Sequence, residues 1–189
     1  MKINKSIIWI FIILTIIAAL YRVIPNRPWG FAPQWAMAIF AGAVIKDRKW
    51  AFLVPVLSMF VSDIIYQILY VNGLSSIQGF YEGQLQNYIL FAALAVFGMM
   101  MKKINVLNVI LASLAAPTFY FVLSNFILWA GTSGTRGFNR PKTFSGLMQC
   151  YTDALPFYGM SILSTIVFSG ILFGAYYALG RKQSIIATA

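Results

Sequence analysis

The sequence predicts an all-α fold: a polytopic membrane bundle of six transmembrane helices, the second of them short. Three observations predict it. Of 189 residues, 60% are hydrophobic and only 10% charged, with a mean hydropathy of +0.79. A soluble domain runs near half apolar and about a quarter charged, so the surplus exceeds what one small core buries. The apolar residues also fall into separate runs, and the basic residues sit between those runs. Six spans of about 20 residues use about 120 residues. That leaves short loops and no second, soluble domain, so residues 1–189 are expected to form a single membrane domain.

The first span runs over residues 6–24. Lys2 and Lys5 precede it as in a signal peptide, but Ala18-Ala19 leads straight into Leu20, Tyr21 and Arg22 without a small-x-small cleavage site. An uncleaved span is expected. The second, residues 33–45, opens at Pro33, where a missing amide costs little. It is too short to cross about 30 Å of hydrocarbon alone. It either crosses where protein covers its ends or is re-entrant. The third and fourth spans cover residues 50–70 and 87–101, and the fifth 106–130. Pro55 and Pro117 lie inside spans and are expected to kink them or to mark helix ends. Residues 145–155 carry Leu147, Met148, Tyr151 and Leu155 at amphipathic spacing, which predicts a short surface helix. Pro156 then opens the sixth span, 156–180.

Charge sets the orientation. With six crossings, one side receives Lys2, Lys5, Lys46, Arg48, Lys49, Lys102, Lys103, Arg181 and Lys182. The other receives only Arg22, Arg27, Arg136, Arg140 and Lys142. The positive-inside rule places the first set, and both termini, in the cytoplasm. A re-entrant second segment would move Lys102 and Lys103 outside and weaken the bias, so six crossings are preferred.

The composition excludes much chemistry. There is no His, one Cys (Cys150) and only four acids: Asp47, Asp63, Glu82 and Asp153. A Ser-His-Asp triad and a His/Cys zinc site are impossible. General acid–base work has few candidates, and no Walker-type phosphate loop is present. The protein is expected not to be an enzyme and to carry no cofactor. A net charge of +10 is explained by membrane topology and not by nucleic acid, because the basic residues are scattered between apolar spans.

Polar groups within the spans are the candidate functional residues, since an intramembrane carboxylate is costly and usually faces a cavity or a partner. Asp63 lies seven residues before Tyr70, about 10 Å below the end of its span. Arg22 ends the first span at the same level, and Asn125 lies at a similar depth in the fifth. The third span carries Ser58, Ser62, Asp63, Tyr66 and Gln67 as a polar stripe. Two compatible readings stay open: an Arg22–Asp63 pair tying two helices together, or groups lining an outward-opening cavity; a proton-relay role for Asp63 is disfavoured, because no second intramembrane carboxylate or His continues a relay. Pairs of small residues four apart, Ala38/Gly42 and Gly170/Gly174, favour close internal packing over a partner interface. Aromatics near the same boundary, including Trp35 and Trp129, form an interfacial belt or a cage for a flat or apolar ligand.

Several motifs together carry a resemblance. They are Arg22-x-x-Pro25, Pro28-x-x-Phe31-x-Pro33, Ala36-x-Ala38-x-Phe40-x-Gly42 and Pro55 with Ser62-Asp63. Asn125-Phe126-x-x-Trp129, Pro141-Lys142-Thr143, Cys150-Tyr151 and Ala154-Leu155-Pro156-Phe157 follow. The chain resembles an uncharacterised family of small bacterial membrane proteins common in Bacteroidetes, over nearly its whole length. Many relatives place Asn where this chain has Gly30. The layout is also similar to the S components of energy-coupling-factor transporters, six-helix subunits that bind vitamins or metal ions from outside. S components commonly carry an Ala-x-x-x-Ala docking pattern in the first span. Here that span offers only Ala18-Ala19.

The resemblance implies a substrate-binding membrane subunit for small-molecule uptake, S-component-like, in the bacterial inner membrane. Its cavity would open outward, walled by the second, third and fifth spans, the loop 131–144 and the short helix after it. The candidate substrate-binding residues are Arg22, Asp63, Gln67, Asn125 and Trp129. Arg22 and Asp63 would set polarity, with Asn125 and Trp129 fixing orientation. Replacing Asp63 by Asn is expected to abolish binding and leave a folded protein. The implied partners are the lipid bilayer, a small molecule, and an ATP-hydrolysing energising module or another membrane complex. A basic outer surface of Arg27, Arg136, Arg140 and Lys142 mildly favours an anionic ligand, and metal binding is not expected. The rival expectation is a non-transporting scaffold subunit of a larger envelope complex, whose cavity would be absent or filled.

Overall fold

A computed structural model describes residues 5–131 and 140–186, with side chains over 12–131 and 140–178. Arg136 and most of the loop 131–144 lie outside the described residues. Six helices follow in order: α1 Lys5–Val23, α2 Gln34–Val44, α3 Arg48–Val71, α4 Gln84–Met99, α5 Val106–Ala130 and α6 Phe144–Ile186. Among the residues whose side chains are described, three helices are long and apolar enough to cross a membrane: α3, α5, and α6 over Phe144–Ala178.

Local chemistry places the helix starts. Asp47 caps α3 by accepting from the Lys49 amide at 2.9 Å, and Asn105 caps α5 by accepting from the Asn108 amide at 2.8 Å. Pro33 stands at the start of α2, as the sequence predicts. Pro55 and Pro117 lie inside α3 and α5. Pro156 does not open a helix. It sits inside α6, which absorbs the predicted surface helix 145–155 into one 43-residue element. Proline removes one backbone hydrogen bond and crowds the preceding turn. Apolar helices tolerate that when side chains and neighbours satisfy the freed groups. Residues on both sides of Pro156 pack against the same partner: Tyr151 donates to the Val122 carbonyl at 3.0 Å, and the Tyr158 ring stacks on Phe121 at 4.5 Å.

The short helix α2 occupies the middle of the bundle. It packs against α3, α4, α5 and α6, and every residue from Gln34 to Gly42 is buried. At 11 residues it is about 16 Å long, so neighbouring protein, not lipid, surrounds it. Its crossing with α4 brings backbones together. A Cβ on Gly42 would run into the Ala95 carbonyl, and one on Gly98 into the Ile39 carbonyl. The Ala38/Gly42 pair therefore serves internal packing. Gly170 and Gly174 differ: open space lies beside each, so that pair packs against nothing among the described residues. Aliphatic side chains such as Ile13, Ile17, Leu107, Leu111, Leu163 and Ile171 are exposed around the perimeter, as a lipid-facing surface requires.

Candidate functional site

Two polar regions lie in the same half of the bundle, the half where α1, α3 and α5 end. The first is a closed node. Arg22 at the end of α1 forms an ion pair with Asp63 of α3. The same guanidinium donates to the Ser62 hydroxyl at 2.5 Å and to the Met59 carbonyl at 3.3 Å. The second Asp63 oxygen accepts from Gln84 Nε2 at 2.6 Å and from the Tyr88 hydroxyl at 2.8 Å. Tyr66 donates to the Arg22 carbonyl at 2.6 Å, and Arg27 donates to that carbonyl at 2.7 Å. Asp63 is 1% exposed. Each carboxylate oxygen already has its donors, as a buried charge needs. The node joins α1, α3 and α4, and both oxygens of Asp63 are engaged within it.

Gln67 extends the node to the α3–α4 loop. Its Oε1 accepts from the amides of Gly79 and Phe80 at 3.1 and 3.3 Å. Trp129 holds the α5–α6 connection: its indole N–H donates to the Pro141 carbonyl at 2.9 Å, and Lys142 Nζ lies 5.6 Å from its ring centroid.

The second region is a cavity of about 400 Å³. Gly30 and Trp35 of the α1–α2 junction and Asn87 of α4 form one side. Pro117, Tyr120, Phe121, Ser124, Asn125 and Leu128 of α5 form a second, and Ala154, Phe157, Tyr158 and Ser161 of α6 a third. Its origin is the shortness of α2. The Trp35 ring, in the first turn of α2, meets Tyr120 edge-on at 4.7 Å. Beyond that level α5 continues from Phe121 to Ala130, about 15 Å, with no α2 beside it. Gly30 is held where α6 passes: its φ is +82°, and a Cβ there would meet the Phe157 carbonyl at 2.5 Å. The left-handed φ and the close backbone both call for glycine.

Within this lining Asn125 is 9% exposed. Its amide nitrogen donates to the Phe121 carbonyl at 2.8 Å, which assigns its Oδ1 as the remaining acceptor. Among the described residues no donor reaches that oxygen, nor does any partner reach the neighbouring Ser124 hydroxyl. The other polar groups are engaged. Tyr120 donates to Asn87 at 3.0 Å, Asn87 donates to Tyr81 at 2.7 Å, and the Tyr158 and Thr118 hydroxyls lie 2.9 Å apart.

Of the five candidate residues from the sequence, the cavity lining contains Asn125 alone. Arg22 and Asp63 are paired with each other, Gln67 holds the α3–α4 loop and Trp129 the α5–α6 connection. The third span contributes no lining residue, and α4 and α6 take its place. Gln84 lies before the fourth span that the apolar run predicts from Asn87, and Tyr88 lies inside it without a polar stripe to mark it. Their spacing of four residues on one helix face, opposite an intramembrane acid, is the signal that finds them. The described members of the basic set that the sequence assigns to one surface are engaged as well: Arg27 with backbone carbonyls, Arg140 with Asp153 at 2.6 Å, and Lys142 with the Gly131 carbonyl at 2.7 Å.

A search of curated proteins and a search of solved structures each return no match. The whole helical chain is covered by one family match: residues 2–187 align with a family of unknown function, DUF6580, and the chain belongs to that family.

Proposed function

We propose that this protein is the substrate-binding membrane subunit of a small-molecule uptake system. All six helices lie across the bilayer of a bacterial inner membrane, with both termini cytoplasmic and the cavity opening outward. The basic-residue asymmetry supports that orientation, and the buried position of α2 supports its crossing inside protein. The observation that carries the functional reading is the cavity beside Asn125. Its volume falls in the range of small-ligand sites, and its lining is apolar with a few placed polar groups, as such sites generally are. Any ATP is hydrolysed by a partner, because the chain has no phosphate loop.

The test is native mass spectrometry of the protein drawn from its own host in mild detergent. A stoichiometric small molecule, lost when Ser124 is replaced by Leu to fill the cavity, is the expected result. An empty protein locked to other envelope subunits would replace this reading with the scaffold one.

A further inference from the structure

Resting on the binding reading above, we infer that the cavity takes an uncharged, flat aromatic molecule that presents an N–H or O–H donor to Asn125 Oδ1. Three features of the lining carry this. The first is charge. Among the described residues no Lys, Arg, Asp or Glu lines the cavity, and the carboxylate of Asp153, next in sequence to the lining residue Ala154, is held by Arg140 at 2.6 Å. An ion entering would give up its hydration with no counter-charge to replace it. This outweighs the long-range pull of the basic surface, whose described members are already bonded to carbonyls or to Asp153.

The second is shape. Trp35, Tyr120, Phe121 and Tyr158 contribute rings from three helices. The rings brace one another, Trp35 against Tyr120 at 4.7 Å and Phe121 against Tyr158 at 4.5 Å. They form rigid walls against which a planar ligand gains offset or edge contacts.

The third is the acceptor. Asn125 is nine-tenths buried, its nitrogen is committed to the Phe121 carbonyl, and its oxygen is without a donor among the described residues. The oxygen of this largely buried side chain remains accessible, and an apolar ligand that covers it without a donor leaves it unmatched at a cost, so the ligand that fits best supplies the missing proton donor. A lipid acyl chain, the other apolar occupant available in a bilayer, has none to give.

The test uses the full-length protein in nanodiscs, with empty nanodiscs to subtract partition into lipid. The probes are indole, 1-methylindole, indole-3-acetate and tryptamine, measured by equilibrium dialysis. They share one flat ring system and differ in the donor or the charge. Indole is expected to bind the protein, with 1-methylindole weaker by about 5- to 100-fold from the unmatched acceptor. Indole-3-acetate and tryptamine are expected to bind no better than 1-methylindole. In Asn125→Ala the preference for indole over 1-methylindole should vanish, with a thermal scan to show that the variant is folded. If that variant does not fold, the indole to 1-methylindole ratio in the wild type decides alone. Equal binding of indole and 1-methylindole, preference for a charged probe, or a bound lipid in native mass spectra overturns this ligand class. A charged molecule co-purifying from the host would do the same while leaving the binding-subunit reading intact. No binding of any probe together with no co-purifying molecule would overturn both.

Discussion

The Arg22–Asp63 node and the cavity beside Asn125 occupy the same half of the bundle, yet they solve opposite problems. At the node, two opposite charges are buried together, and every oxygen of Asp63 is met by a side chain of α1 or α4. Among the described residues the cavity lining carries no charge, and polar groups there remain without partners. The node ties helix ends to one another, whereas the cavity exists because one helix is too short to fill its column. An intramembrane carboxylate is a natural first suspect for a ligand site. Here it identifies a joint, and the unfilled space lies elsewhere, beside Asn125.

The largest effect should come from cutting the node. Asp63→Ala strands a buried guanidinium and is expected to cost about 3–5 kcal/mol, read as a large drop in thermal unfolding temperature in detergent. The double substitution Arg22→Met with Asp63→Leu should recover most of that loss, because a buried pair replaced by apolar residues is often neutral. If Asp63→Ala instead leaves stability unchanged and abolishes ligand binding, the carboxylate belongs to the site and the division between the two regions fails.

The α2–α4 crossing should come next. Gly42→Ala drives a methyl group into the Ala95 carbonyl, and overpacking of this kind costs about 1–3 kcal/mol. Gly170→Ala, beside open space, should shift the unfolding temperature little. Equal losses at both positions would mean that the α6 glycines also pack against a surface, one formed by another molecule.

A third substitution separates binding from stability on the cavity side. Ser124 lines the cavity and makes no side-chain hydrogen bond among the described residues. Ser124→Leu should leave stability within about 0.5 kcal/mol, as for positions without such features, and remove ligand binding by occupying the space. Stability lost without any change in binding would place the ligand elsewhere.

The sequence made the fold readable wherever one signal acted alone. Apolar runs located α2, α3 and α5 to within two residues, because hydrophobic length and caps point the same way there. It misled at Pro156, where a breaker sits in a helix whose apolar packing on α5 continues on both sides. The site was half legible. Depth along each helix can be counted, so the sequence puts Arg22 and Asp63 at one level, and they pair. Direction around each helix cannot be counted when neighbours are unknown, and direction decides that Asp63 faces Arg22 and Gln84 while Asn125 faces the cavity. The void itself had one sequence correlate, the 13-residue second segment, which was weighed as a question of topology and not of volume.

An effect smaller than that of cutting the node should come from Gln67, at its edge, where a loop is held but no charge is buried. Its Oε1 accepts two backbone amides, Gly79 and Phe80, at 3.1 and 3.3 Å. Gly79 lies so close to α3 that a Cβ would meet its backbone at Asp63 and Gln67, so packing as well as hydrogen bonding fixes the turn. Gln67→Leu removes the acceptor and keeps the bulk. Its cost is limited to two neutral hydrogen bonds, about 1–2 kcal/mol. Amide hydrogen exchange should quicken at Gly79 and Phe80 while the first turn of α4 stays protected, since Gln84 is still held by Asp63 and Tyr88. Faster exchange spreading through α4 would show that the loop supports the node, and that the joint between α1, α3 and α4 extends to the loop.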